Sequence, residues 1–206
     1  MAFNWSEGRT TVREFVRAVV ADITMASANR FLLHYPTNIS GIQDMAILRT
    51  TTTHNHTFYI KIERPENVLN YVLITVGTKY DPATQNLDPE IASVPARFAW
   101  YRISPVVPIF DWTSVQYWMS YSEDFLNIVV QGDPSLDVHP YKNYLISYAY
   151  IGALESFEGA DADDMYNFGL TVSSDDFWPD VDIAEAEKYG KRTATGVTDI
   201  PWEPLS

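Results

Sequence analysis

Period-two alternation of apolar and polar positions runs through most of this chain. From His56 to Ile62, the side chains of His56, Phe58, Ile60 and Ile62 fall on one side of an extended backbone, and Thr57, Tyr59 and Lys61 on the other. Arg64-Pro65-Glu66-Asn67 ends that run and Tyr71–Val76 resumes it, which predicts a hairpin with a loop of several residues. Further strands are expected at Met45–Thr52, Arg97–Ile103, Val115–Tyr121, Phe125–Gln131, Tyr144–Ile151 and Phe168–Ser173. Turn chemistry separates many of them: Tyr80-Asp81-Pro82, Ser104-Pro105, Gly132-Asp133-Pro134, His139-Pro140 and Gly152.

One segment follows a different period. In residues 11–26, Val12, Phe15, Val16, Val19, Val20 and Ile23 recur at helical spacing. Thr11 and Glu14 read as a capping box, the hydroxyl accepting an orphan amide and the carboxylate reaching back. Arg9, Arg13 and Arg17, spaced by four, would line a basic strip on or beside that helix. Such a strip is either a solvated face or a docking strip for an acidic surface.

Seven or eight short strands at these spacings predict a mainly β, α+β chain: an antiparallel sandwich or open barrel, not alternating βα units. One domain is expected over residues 1–190, with the N-terminal helix at 11–26 and an extended C-terminal arm at 191–206. Residues 81–95 hold three prolines and no apolar periodicity, and read as a projecting loop or a contact arm. Asp180–Tyr189 reads as a short helix closed by Gly190. Trp202 stands alone in the polar arm and needs a pocket, on this subunit or on a neighbour.

Charge divides the chain. Residues 1–103 carry ten Lys/Arg and nine Asp/Glu, whereas residues 104–206 carry four and eighteen. Between Glu155 and Glu187 stand eleven carboxylates and no Lys or Arg. Residues 104–151 hold only five acids, so the charge forms a block after Gly152, interrupted by the apolar run at 168–172 and closed by basic residues at 188–192. A net charge of −13 repels nucleic acid and anionic membrane. The N-terminus lacks the basic and apolar regions of a signal peptide, so synthesis and folding in cytoplasm are expected.

The absence of cysteine excludes disulfides, thiolate metal sites, iron–sulfur clusters and a cysteine nucleophile. His54 and His56 share a strand face at a metal-ligating spacing, but no local carboxylate supplies a third ligand. Asp161, Asp163, Asp164 and Asn167 offer oxygens for a hard cation. An EF-hand counted from Asp161 fails, because Met165, Tyr166 and Val172 stand where a ligand, a glycine and a glutamate are needed. No nucleophile elbow, phosphate loop or His-Glu-x-x-His helix occurs, so no catalytic residue, cofactor or metal ligand is assigned. Trp100, Tyr101, Phe110, Trp112, Tyr117, Trp118 and Tyr121 crowd the middle of the chain; they are core, subunit contacts or a sugar platform.

The stretches Gln131-Gly132-Asp133-Pro134, Tyr144–Tyr150, Ile151–Gly159 and Asn167–Val172, with Gly196–Ile200, resemble structural proteins of tailed-bacteriophage virions. That resemblance covers about a quarter of the chain and implies assembly, not catalysis. The expected partners are copies of itself and other virion proteins of the tail, neck or baseplate, with no nucleic acid and no membrane. The expected contact residues are Arg9, Arg13 and Arg17, the acids Glu155, Glu158, Asp161, Asp163 and Asp164, and Trp202. A carbohydrate-binding module on a host-recognition structure is the alternative.

Overall fold

A computed structural model describes residues 4–26, 31–51, 57–88, 92, 95–101, 108–121, 125–136, 144–153 and 168–175. Chain order gives β1 (Asn4–Thr11), α1 (Phe15–Ala26), β2 (Phe31–Tyr35), β3 (Met45–Thr51), β4 (Thr57–Glu63), β5 (Tyr71–Gly77), β6 (Tyr80–Asp81) and β7 (Asn86–Leu87). It continues with β8 (Ala96–Ala99), β9 (Ser114–Tyr121), β10 (Phe125–Gly132), β11 (Ile146–Ala153) and β12 (Phe168–Asp175). Two five-stranded antiparallel sheets result. One runs β1-β9-β10-β11-β12 and the other β2-β3-β4-β5-β8; β6 and β7 form a small separate hairpin.

Alternation decides which residues face inward. In the first sheet Val115, Tyr117, Met119, Tyr121, Leu126, Ile128, Val130, Ala149 and Ile151 are buried. In the second, Ala46, Leu48, Phe58, Ile60, Ile62, Val72, Ile74, Val76, Ala96 and Phe98 are buried, and both sets join one core cluster. Because side chains alternate with period two, a slip of one residue in any strand would turn its apolar set outward. The β4–β5 hairpin and the expected strands from 45 to 175 therefore fold where the alternation places them, with ends shifted by a few residues. The mainly β sandwich is the observed architecture.

Helix α1 lies against β1, β2 and β3. It buries Phe15, Val16, Val19, Val20 and Ile23 in the same cluster as the two sheets, while Met25 in its last turn stays exposed. The helix starts at Phe15, not at residue 11, because residues 4–11 pair as β1 with β9. Thr11 still acts as the cap: the Glu14 amide donates to its hydroxyl at 3.3 Å. The Glu14 carboxylate does not reach back as a capping box requires; it pairs with Arg17.

Two strands of the large sheets, β1 and β2, and the short β6 and β7 have no counterpart among the expected strands. β1 carries Gly8 at its centre and β2 is only five residues long, so neither shows a clean apolar alternation. The span 81–95 is partly structured: β6 and β7 pair across a turn, and Asp81 accepts from the Ala83 amide at 2.8 Å and the Thr84 hydroxyl at 2.8 Å. His54, His56, Glu155, Glu158, Asp161, Asp163, Asp164, Asn167, Trp202, the helix expected at 180–189 and the arm at 191–206 lie outside the described residues.

The two sheets are sewn together at Trp100 and Tyr101. The Trp100 amide donates to Asn70 O at 3.0 Å, its carbonyl accepts from the Leu145 amide at 2.9 Å, and its indole donates to Leu69 O at 3.0 Å. Its ring lies 4.5 Å from that of Phe15. Tyr101 is buried; its hydroxyl donates to Ser114 O and accepts from the Asp133 amide at 2.6 Å. Gly132 permits this approach, because any Cβ there would strike the Trp100 carbonyl and the Tyr101 ring.

Candidate functional site

The candidate contact site is a corner where the β1–α1 turn meets residues 110–114. The amide of Val12 donates to Thr113 O at 2.9 Å and that of Arg13 to Asp111 O at 3.0 Å, continuing the β1–β9 ladder past the end of β1. The Phe110 amide donates to the Thr113 hydroxyl at 2.8 Å, and the Thr113 amide to Phe110 O at 2.9 Å, closing the turn. That turn pushes two aromatic rings outward. Phe110 and Trp112 stack with centroids 4.6 Å apart and planes within 4°, and Trp112 is 71% exposed. Exposed aromatics of this size on a polar rim mark contact surfaces.

Charged groups surround the pair. Arg9 donates to Ser114 Oγ at 2.6 Å and to Asp133 Oδ2 at 3.2 Å. Arg13 lies 3.9 Å from Asp111. Arg64, largely covered, bridges Asp44 and Asp111, the latter at 3.3 Å. It therefore braces the turn that carries the aromatics. The Asp133 carboxyl is held below its ordinary range by the Ser135 amide, 2.9 Å away, and by Arg9. Arg9 and Arg13 keep about two thirds of their side-chain surface exposed. In such solvated pairs the guanidinium is readily shared with a second acid.

The expected strip of three arginines is therefore divided. Arg9 sits on a strand and Arg13 in the turn, both beside the aromatic pair, whereas Arg17 is on the helix with Glu14 as its partner. Each arginine meets an acid of its own chain. Arg64, Asp44, Asp111 and Asp133 were not foreseen as site residues. The sequence signals for them are Asp111 between two aromatics and Asp133 in the Gly132-Asp133-Pro134 turn, both of which mark outward turns.

The outer face of the first sheet is a second exposed aromatic surface. Ladder register puts Glu7, Trp118, Val129 and Tyr148 in one row across four strands, and Trp5, Ser120, Asn127 and Tyr150 in the next. Trp5 is 59% exposed and Tyr148 39%. The Tyr148 hydroxyl donates to Asn127 Oδ1 at 2.9 Å, and the rings of Phe125 and Tyr150 stack at 6.3 Å.

The second sheet's outer face differs. A cleft of about 990 Å³ lies between β4–β5 and the β6–β7 hairpin, lined by Lys61, Glu63, Lys79, Asp81 and Asp88 among others. Its charges satisfy one another: Lys61 is 2.7 Å from Glu63 and donates to Asn86 at 2.8 Å, and Lys79 is 3.4 Å from Asp88. Beside it His34 packs edge-on against Tyr59 and Tyr80. Burial and the neighbouring Arg49 hold the imidazole below its ordinary pKa, favouring the neutral ring. Among the described residues no three His, Asp or Glu side chains converge as metal ligands. No protein family, curated protein or solved structure matches this chain.

Proposed function

We propose that this protein is a non-enzymatic structural component of a tailed-bacteriophage virion, of its tail, neck or baseplate, that works by packing against copies of itself and other virion proteins. The observation that carries this reading is the exposed Phe110–Trp112 stack, rimmed by the largely solvated side chains of Arg9 and Arg13. Aromatic rings with arginine are the residues most enriched where proteins bind one another. The acidic block between Glu155 and Glu187 supplies the complementary charge on a neighbouring copy. Two unlike surfaces on one chain suit head-to-tail contacts. The resemblance of residues 131–134, 144–159 and 167–172 to virion structural proteins supports the setting.

The test has two parts. Mass spectrometry of purified virions is expected to find the protein in the particle. Light scattering on a size-exclusion column is expected to find it self-associated, and Trp112→Ala with Arg13→Glu to reduce its mass. Absence from the particle together with a monomer at high concentration overturns the proposal.

A carbohydrate-binding module is the second reading, favoured by Trp118 and Tyr148 in one ladder row of an outward sheet face. A glycan array with wild type and Trp118→Ala separates the two. Glycan binding lost in the variant supports the module, and no binding to any glycan removes it.

A further inference from the structure

We propose that β1 is a subunit interface: its free edge pairs antiparallel with β1 of a second copy, across a two-fold axis at Gly8. This names one surface for the self-assembly proposed above and rests on that reading for its biological setting.

β1 is an eight-residue strand bonded to β9 on one side, and no described strand lies on its other side. A long bare edge is a template for pairing, and monomeric proteins blunt such edges with proline, bulges, charged side chains or a covering loop. Among the described residues β1 has no proline, bulge or covering strand; its charges, Glu7 and Arg9, are of opposite sign and so block pairing in some registers and favour it in another. Its β9 register is unbroken from Asn4 to Thr11. Helix α1 does not take the edge. Asp22 accepts from the inward hydroxyls of Ser6 at 3.3 Å and Tyr117 at 2.7 Å, which fixes α1 over the inner face.

Hydrogen-bond parity identifies the groups at the edge. Val12 donates toward β9 through Thr113 O, so in the alternating ladder Thr10, Gly8 and Ser6 also face β9. The amides and carbonyls of Trp5, Glu7, Arg9 and Thr11 therefore point outward along the edge. The side chains at 5, 7 and 9 are all exposed.

Charge then selects the register. Pairing that puts Gly8 opposite Gly8 sets Glu7 against Arg9 of the second copy twice, and Trp5 against Thr11 twice. Shifted by one step in either direction, the axis falls on Glu7 or on Arg9 and sets two like charges directly opposite each other, which is destabilising. The favoured register makes about eight interchain backbone hydrogen bonds. It joins two five-stranded sheets into one of ten strands, with Trp5 and Trp118 of both copies on a common outer face. Arg9 keeps its bond to Ser114 and shares its charge between Asp133 and Glu7 of the second copy.

Sedimentation equilibrium on the full chain tests this, with wild type, Glu7→Arg, Arg9→Glu, the double variant and Glu7→Pro. Wild type is expected to show a dimer step. Each single charge variant places like charges opposite and is expected to weaken that step at least tenfold. The double variant restores opposite charges and is expected to regain it. Glu7→Pro removes an amide that faces the edge, not β9, so it is expected to abolish dimers while keeping the wild-type melting temperature. A wild type without a dimer step, or a double variant no better than the singles, overturns the pairing. A protein present in virions whose dimer ignores these changes sinks the β1 edge alone and leaves the assembly reading standing.

Discussion

The two sheets present outer faces built on the same alternation but finished differently. On the second sheet most outward positions are neutralised locally, although Leu32 on β2 stays exposed and the buried Arg97 Nε has no hydrogen-bond partner among the described residues. Lys61 finds Glu63 and Asn86, Arg97 lies 4.2 Å over the Tyr71 ring, and His34, Tyr59 and Tyr80 close on one another under the β6–β7 hairpin. On the first sheet the hydrophobic outward residues are left bare: Trp5 on β1, Tyr148 on β11, and the Phe110–Trp112 stack just before β9. Since residues of both inner faces join one core cluster, stability alone does not require this difference. A face that satisfies itself is finished as a monomer, whereas one that leaves tryptophans in water carries a cost that a partner removes.

The largest effect that separates core from contact surface is expected at the seam. Trp100→Ala deletes a fully buried ring that packs on Phe15 and bonds Leu69 O, and is expected to lower stability by about 4 kcal/mol. Gly132→Ala forces a Cβ into the Trp100 carbonyl and is expected to cost about 3 kcal/mol. Urea unfolding measures both. Next is Tyr101→Phe, which strands Ser114 O and the Asp133 amide without their hydroxyl partner and is expected to cost about 2 kcal/mol.

Tyr101 also sets a pH dependence. Burial pushes its hydroxyl up from 10.0 to about 12, so the folded state holds the proton more tightly than the unfolded chain. The corresponding stability is present below pH 10 and is lost as pH rises through about 12. Tyr117 shifts the same way, through burial and its bond to Asp22. Unfolding measured along an alkaline series is expected to show this fall, with a shallower slope in Tyr101→Phe. The smallest expected effect on stability is at the contact corner: Trp112→Ala removes an exposed ring and is expected to change unfolding by no more than about 0.5 kcal/mol.

The sandwich was legible because alternation is a local code. Phe58, Ile60 and Ile62 announce their strand without reference to anything distant. β1 was hidden because its inward positions are Ser6, Gly8 and Thr10. They are small and polar because α1 and the Tyr117 ring lie directly over them, and that covering is visible only after folding. The same concealment affected the arginines. A spacing of four suggests one helical face, but pairing with β9 draws Arg9 into a strand and separates it from Arg17. The contact corner depended on tertiary meetings such as Arg64 with Asp44 and Asp111, which no sequence period encodes.

The bare face of the first sheet and its corner are the surfaces proposed to meet other subunits. Size-exclusion light scattering of wild type beside Trp112→Ala with Arg13→Glu, each over a wide concentration range and each with its melting temperature recorded, checks this. Wild type is expected to assemble beyond the β1 dimer, and the variant to fall back towards that dimer at an unchanged melting temperature. A wild type that stays monomeric at every concentration, or a variant with the same mass as wild type, would contradict it.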